Sequence, residues 1–153
     1  MPKKNWLLLL TLLVLSTVYV YCFTDWFKPK VIEIHSTSRL LRQPRPGANP
    51  ATIPVLFMFN ARYQLTELKV VPLLAWQTNR NALPLWHLVS DSNSIPLKTF
   101  AYGQPLKGMR PALPGTHASP LAPDVSYHLT LAAGKARGEH DFTAKAAESA
   151  NSQ

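Results

Sequence analysis

The chain reads as a mainly β protein: one antiparallel sandwich of about seven short strands, preceded by a single N-terminal transmembrane helix. Three observations carry that reading. Prolines number fourteen against six glycines, and proline suits strand ends and turns while breaking helices. From Phe27 to Phe142 no apolar period of 3.6 is sustained over three turns, whereas short period-2 runs recur between turn signals. The one long uncharged apolar run lies at the amino terminus, from Trp6 to Phe23. With 46% apolar residues among 153, the chain can bury a core and is not disordered overall.

The apolar run predicts a signal anchor over residues 6–23, after a short cytoplasmic tail at 1–5 and before a juxtamembrane linker at 24–30. Eighteen residues rising about 1.5 Å each cover about 27 Å, close to the hydrocarbon thickness of a bilayer. Trp6 at one end, and Tyr19, Tyr21, Trp26 and Phe27 at the other, fit aromatic belts at the two interfaces. A cleaved signal would want a shorter apolar region and small residues at its cleavage site; here bulky Tyr19 to Phe23 follow the best candidate, Ser16-Thr17-Val18. Cys22 is the single cysteine, so no internal disulfide forms. Tyr19-Val20-Tyr21 before it is too bulky for a lipoprotein signal. Lys3 and Lys4 place the short tail in the cytoplasm, although Lys28 and Lys30 beyond the span weaken the bias. The expected address is the bacterial inner membrane, with the C-terminal domain extracytoplasmic.

The domain is expected over 31–145. "VIEIHSTS" alternates, with Val31, Glu33 and His35 opposite Ile32, Ile34 and Ser36. Residues 39–54 carry four prolines and a glycine and read as a long loop. "VLFMFN" (55–60) is a continuous apolar run, predicting a strand covered on both faces. "YQLTELKVVPLLAW" (63–76) reads as a strand, with Leu65, Glu67 and Lys69 on one face and Thr66, Leu68 and Val70 on the other. A polar turn at 77–84 leads to a strand at 85–90, a turn at 91–94 and an extended stretch at 95–102. Residues 103–124 are Pro- and Gly-rich loop. "VSYHLTLAAG" (125–134) puts Tyr127, Leu129, Leu131 and Ala133 on one face, and 138–145 returns as its hairpin partner. Phe142 opposite Leu131 would make Lys135 to Gly138 a four-residue loop. Residues 146–153 are expected to be a flexible tail.

That count and spacing suit an immunoglobulin-like sandwich, and one motif points the same way. Leu121-Ala-Pro123-Asp-Val-Ser-Tyr127 followed by "HLTLAAG" resembles the tyrosine corner of fibronectin type III domains. The resemblance implies that Tyr127 packs inward, with its hydroxyl bonded to backbone near Leu121 and Pro123, and that Leu129 and Leu131 point to the core. It covers about a dozen residues and implies no activity, because such folds host many roles. More broadly, the chain resembles small bacterial proteins with one membrane anchor and an immunoglobulin-like domain; "LWHLVSDSNSIPLKTFAYG" with "GMRP" has the look of their shared signature.

The formal charge is +8, and the densest basic run after the span is Arg39, Arg42 and Arg45. No nucleic-acid module accompanies these residues. Their expected partner is anionic lipid or an acidic envelope polymer, beside a protein partner that the sequence does not specify. "LWHLVSDSNS" (85–94) holds the residue types of a serine-hydrolase triad, but along a strand His87 and Asp91 stand about 13 Å apart. No G-x-S-x-G elbow is present. The serines are instead turn residues that bond to backbone. His35, His117, His128 and His140 lack metal-site spacing, so neither metal nor cofactor is expected. The candidate binding groove joins Trp86, Phe100, Tyr102 and Met109 with Lys107 and Arg110 at its rim and His87 nearby, beside the 103–124 loop; the same aromatics also suit a core. The expected role is non-catalytic binding or scaffolding. The alternatives are an envelope hydrolase using His87 and a nearby serine, or an assembly module associating through its span.

Overall fold

The computed structural model describes residues 3–23, 30–38 and 53–146. In chain order these form α1 (Lys3–Phe23), β1 (Ile34–Ser38), β2 (Val55–Tyr63), β3 (Glu67–Pro72), α2 (Leu73–Thr78), β4 (Trp86–Val89), β5 (Leu97–Ala101), β6 (Arg110–Pro111), β7 (Ser126–Ala133) and β8 (Ala136–Thr143). Trp26, Phe27, Arg39, Arg42, Arg45 and residues 147–153 lie outside the described residues.

α1 is one helix long and apolar enough to cross a membrane, and none of Lys4–Cys22 is buried against protein. Its two threonine hydroxyls are satisfied within the helix. Thr11 Oγ1 donates to the Leu7 carbonyl and Thr17 Oγ1 to the Leu13 carbonyl, both at 2.8 Å. That internal bonding is what a lipid-facing helix requires, because hydrocarbon offers no partner.

The strands form two antiparallel sheets, of order β1-β2-β5 and β6-β4-β3-β7-β8. Period-2 alternation sets the register. In β2, Val55, Phe57 and Phe59 are buried while Leu56 and Met58 are half-buried, so one face of this strand is fully covered and not both. In β3 and β7 the inward sets are Leu68 and Val70, and Tyr127, Leu129 and Leu131. The two sheets meet through aromatic rings. Phe57 lies 5.0 Å from Phe100 within its own sheet and 4.9 Å, edge-on, from Phe142 on β8. Side chains from both sheets make one hydrophobic cluster.

Segment 30–38 serves both sheets. Val31 bridges Arg137 in parallel, with Ile32 N–H donating to the Arg137 carbonyl (2.8 Å) and Arg137 N–H to the Lys30 carbonyl (3.0 Å). The chain then crosses over and pairs β1 with β2. Gly138 makes the crossing possible: a Cβ there would sit 2.8 Å from Ile32 Cβ and 2.9 Å from the Ile32 carbonyl oxygen.

β1 also reaches β8 through Ser36 Oγ and His140 Nε2, 2.9 Å apart. Burial lowers the His140 pKa below its ordinary 6.5, and His35 adds to this, against the opposing pull of Asp141. The unfolded chain therefore binds this proton more readily. Stability should rise with pH through the ordinary histidine range and fall as pH drops below about 6.5. Comparing unfolding midpoints of wild type and His140→Gln between pH 7.5 and 5 checks this: the variant should lose less stability on acidification.

Three expectations need correction. Residues 73–76 are helix, not strand, because Pro72 lacks a ladder donor and its φ of −57° leads into a turn of the good helix formers Leu73, Leu74 and Ala75. The β7–β8 loop has two residues, Gly134 and Lys135, with Leu131 opposite Gly138 and Phe142 opposite Tyr127. Gly134 alone takes a positive φ, 60°, as a II′ turn requires at its first position. Among the described residues strands number eight, because the loop after Gly103 contributes the two-residue β6. The last described residue is Ala146. Ala144 is fully buried, and its N–H donates to the Val125 carbonyl at 3.1 Å.

Candidate functional site

The residues of the expected groove divide between core and surface. Trp86 and Phe100 take inward positions on β4 and β5, with ring centroids 6.0 Å apart, and both are buried. Tyr102 meets Trp86 edge-on at 5.1 Å and donates its hydroxyl to the Ser119 carbonyl at 2.7 Å. Burial, then the nearby Tyr127, holds that phenol well above its ordinary pKa, so it stays a donor. Met109 packs half-buried on the same cluster. Trp86 and Phe100 thus belong to the buried core, and Tyr102 and Met109 pack partly buried against it. Lys107 and Arg110 are exposed, with Arg110 Nη2 3.0 Å from Asp91 Oδ2.

His87 projects from the other face of β4 and meets Glu67 on β3, Nε2 to Oε1 at 3.0 Å. Asp91 is engaged by Arg110. Ser90 Oγ donates to the Gly108 carbonyl at 2.7 Å, and Ser94, 2% exposed, donates to the Leu65 carbonyl at 2.5 Å. Gln64 Nε2 holds the carbonyls of Ser92 (3.0 Å) and Ser94 (2.8 Å). The "SDSNS" stretch is thus a bonded turn.

At the corner motif Leu121 and Tyr127 are buried, and the Ala122 N–H donates to the Tyr127 hydroxyl at 2.8 Å. Pro123 precedes Asp124, whose φ of 58° turns the chain into β7. The Tyr127 ring stacks on Phe142 at 5.7 Å. Tyr127→Phe keeps the ring and removes the acceptor. Ala122 is exposed, so water can partly replace it, and the variant should lose about 1 kcal/mol in denaturant titration.

Sequence reasoning missed the face built by α2 over the five-stranded sheet. Pairing places His87, Lys69, Thr130 and Glu139 in one row, and Val71, His128 and Asp141 in a row further from the linker. α2 covers the second row, so Val71 and His128 are buried although they point away from the main core. Trp76 stacks on the His128 ring, with centroids 4.6 Å apart and planes at 15°, and the Arg80 guanidinium lies 5.3 Å from the Trp76 centroid. His128 Nδ1 lies 2.5 Å from Asp141 Oδ1.

Beside this stack is a depression of about 100 Å³ lined by Glu67, Lys69, Trp76, Arg80, Thr130 and Arg137 among others. Three cations stand there against one carboxylate, and Glu67 already meets His87 (3.0 Å) and Lys69 (3.9 Å). The Thr130 hydroxyl and His128 Nε2 are buried without a hydrogen-bond partner among the described residues. The volume suits one carboxylate- or phosphate-sized group. Guanidinium and ammonium donors with a hydroxyl at the floor are the chemistry that holds such a group. No cluster of three His, Cys, Asp or Glu side chains placed to hold a metal occurs among the described residues.

Comparisons of the chain with protein-family models, with curated proteins and with solved structures find no match.

Proposed function

We propose that this chain is a single-pass membrane protein of the bacterial inner membrane, displaying a fibronectin type III-like sandwich outside the cytoplasm as a non-catalytic binding module. The three-on-five strand order, the rings joining the two sheets and the Tyr127–Ala122 bond support the fold assignment. α1 supports the anchor. The observation that carries the binding role is the Trp76-walled depression with Lys69, Arg80 and Arg137, which fits an acidic group on a partner or ligand. The non-catalytic reading draws on His87 meeting Glu67 while the nearby serine hydroxyls donate to backbone carbonyls.

The test uses the full chain in nanodiscs, titrated with inorganic phosphate, glucuronate and D-glutamate while the Trp76 indole N–H signal is followed by NMR. A saturable shift for at least one probe, weakened tenfold or more in Arg80→Ser/Arg137→Ser, supports the reading. No shift with any probe counts against this face. Ester turnover abolished by His87→Ala would overturn the non-catalytic assignment and restore the hydrolase alternative.

A further inference from the structure

We infer that the end of the domain from which the linker emerges is a docking surface for anionic phospholipid headgroups. This rests on the reading of α1 as a membrane anchor.

The register of both sheets defines the two ends. Lys30 and Val31 lie beside Arg137, next to the β7–β8 turn, and Ile34 pairs with Phe59 near the finish of β2. At the same end β3 begins at Glu67 opposite Val89, and the 90–95 turn is bonded to Gln64, Lys107 and Gly108. The opposite end holds α2, the start of β7 and the finish of β8.

Charge is divided unevenly between these ends. Seven of the ten lysines and arginines in residues 30–38 and 53–146 lie at the linker end. Lys30, Arg62, Lys98, Lys107, Lys135 and Arg137 are all exposed there, and Arg110, also exposed, pairs with Asp91. Glu33, Glu67 and Asp91 are the acids at this end, which leaves it with a net charge of +4. The rest of the domain balances Lys69, Arg80 and Lys145 against Asp124, Glu139 and Asp141, a net charge of zero. The whole positive charge of the described domain therefore sits on one end. Val31 and Ile95, 72% and 54% exposed, add apolar side chains to it. Cations around a few exposed aliphatic groups match the headgroup and acyl boundary of an anionic bilayer.

Tether length makes the encounter unavoidable. Only residues 24–30 separate α1 from the Val31 bridge, and seven residues reach at most about 25 Å. The basic end is the one held nearest the lipid, within a few screening lengths of its surface at physiological salt. Sequence reading placed the anionic contact at Arg39, Arg42 and Arg45. Those residues lie outside the described ones, and the residues flanking them, Ser38 and Ile53, stand at the opposite end: Ser38 pairs with Val55, and Ile53 N–H donates to the Lys145 carbonyl at 3.0 Å.

The experiment uses full-length Cys22→Ser protein in nanodiscs carrying an acceptor-labelled lipid. A donor fluorophore is attached at Asn93→Cys, at the linker end, or at Leu83→Cys, beyond α2. Energy transfer from position 93 should at least double when phosphatidylcholine is replaced by a phosphatidylglycerol mixture, and position 83 should change little. The increase should vanish in 0.5 M salt and in Lys30→Gln/Arg62→Gln/Lys107→Gln/Lys135→Gln. Transfer from position 93 that ignores lipid charge, or survives in the quadruple variant, overturns the inference. So does polyglutamate binding at position 93 in phosphatidylcholine nanodiscs with no response to phosphatidylglycerol, which would make an acidic polymer the partner. Carbonate extraction separates the two readings. A chain that washes off vesicles sinks the anchor and this inference together, whereas a retained chain with flat transfer sinks the docking surface alone.

Discussion

Gly108→Ala is expected to cost about 3–5 kcal/mol, a large share of the stability of a domain this size. Two independent penalties act at this position. Its φ is +78°, a conformation that costs an L-residue about 1–2 kcal/mol. The new Cβ would also fall 1.9 Å from the Asn93 carbonyl oxygen and 2.8 Å from Ser94 Cα, a backbone overlap that no rotamer change can relieve. Moving the loop away would break the Ser90 bond to the Gly108 carbonyl and expose the turn that Ser94 anchors. Gly115 supplies the control, with the same φ of +78° and nothing within 4 Å of its virtual Cβ. Gly115→Ala should cost only the backbone term, about 1–2 kcal/mol. Denaturant unfolding of both full-length variants in one detergent, followed by tryptophan fluorescence, measures the difference. Equal losses would refute the overlap argument.

Phe57→Ala should be nearly as damaging, at about 3–5 kcal/mol. Phe57 is fully buried on β2, and it touches Phe100 beside it and Phe142 on the other sheet. Truncation leaves a void that the Phe100 and Phe142 rings cannot close together, because each is held by its own backbone pairing. The sharper measurement is a double-mutant cycle with Phe142→Ala. Residues in contact across the two sheets should couple by about 0.5–3 kcal/mol. Strictly additive losses would mean that this contact does not join the sheets.

The strands were legible wherever alternation was clean. Ile32 and Ile34, Leu68 and Val70, and Tyr127, Leu129 and Leu131 all occupy the buried positions that period 2 assigns. The inward alternative for Trp86 was legible for the same reason. What failed needed information that local pattern does not contain. "VVPLLAW" breaks alternation at Pro72, yet six residues are too few for a helical period to declare itself. The hairpin register depended on whether Gly134 or Gly138 made the turn. Gly138 instead answers to Ile32, more than a hundred residues away in sequence. The Trp76–His128 stack and its cationic depression were invisible for a related reason: β3, α2, β7 and β8 each supply a part, and only sheet order brings those parts together. His128 reads from sequence as an outward strand residue, and it is buried because a helix lies over it.

The crossing of residues 30–34 between the two sheets has a mechanical consequence. On the proposed reading of α1 as a membrane anchor, a pull along the linker enters the fold at Lys30. The first resistance is two hydrogen bonds to Arg137, backed by the buried side chains of Ile32 and Ile34. Beyond them, β1 is zipped to β2 over five residue pairs. The bridge is therefore the element set to yield first. Its release frees residues 30–32 and lengthens the tether by about 10 Å while both sheets stay intact, because the Glu33 carbonyl still accepts from Asn60 N–H. In a single-molecule stretching trace this should be a small, reversible early step, absent from a variant whose bridge is already broken by Gly138→Val. The domain would then meet sudden tension by giving a little rope before it risks its fold.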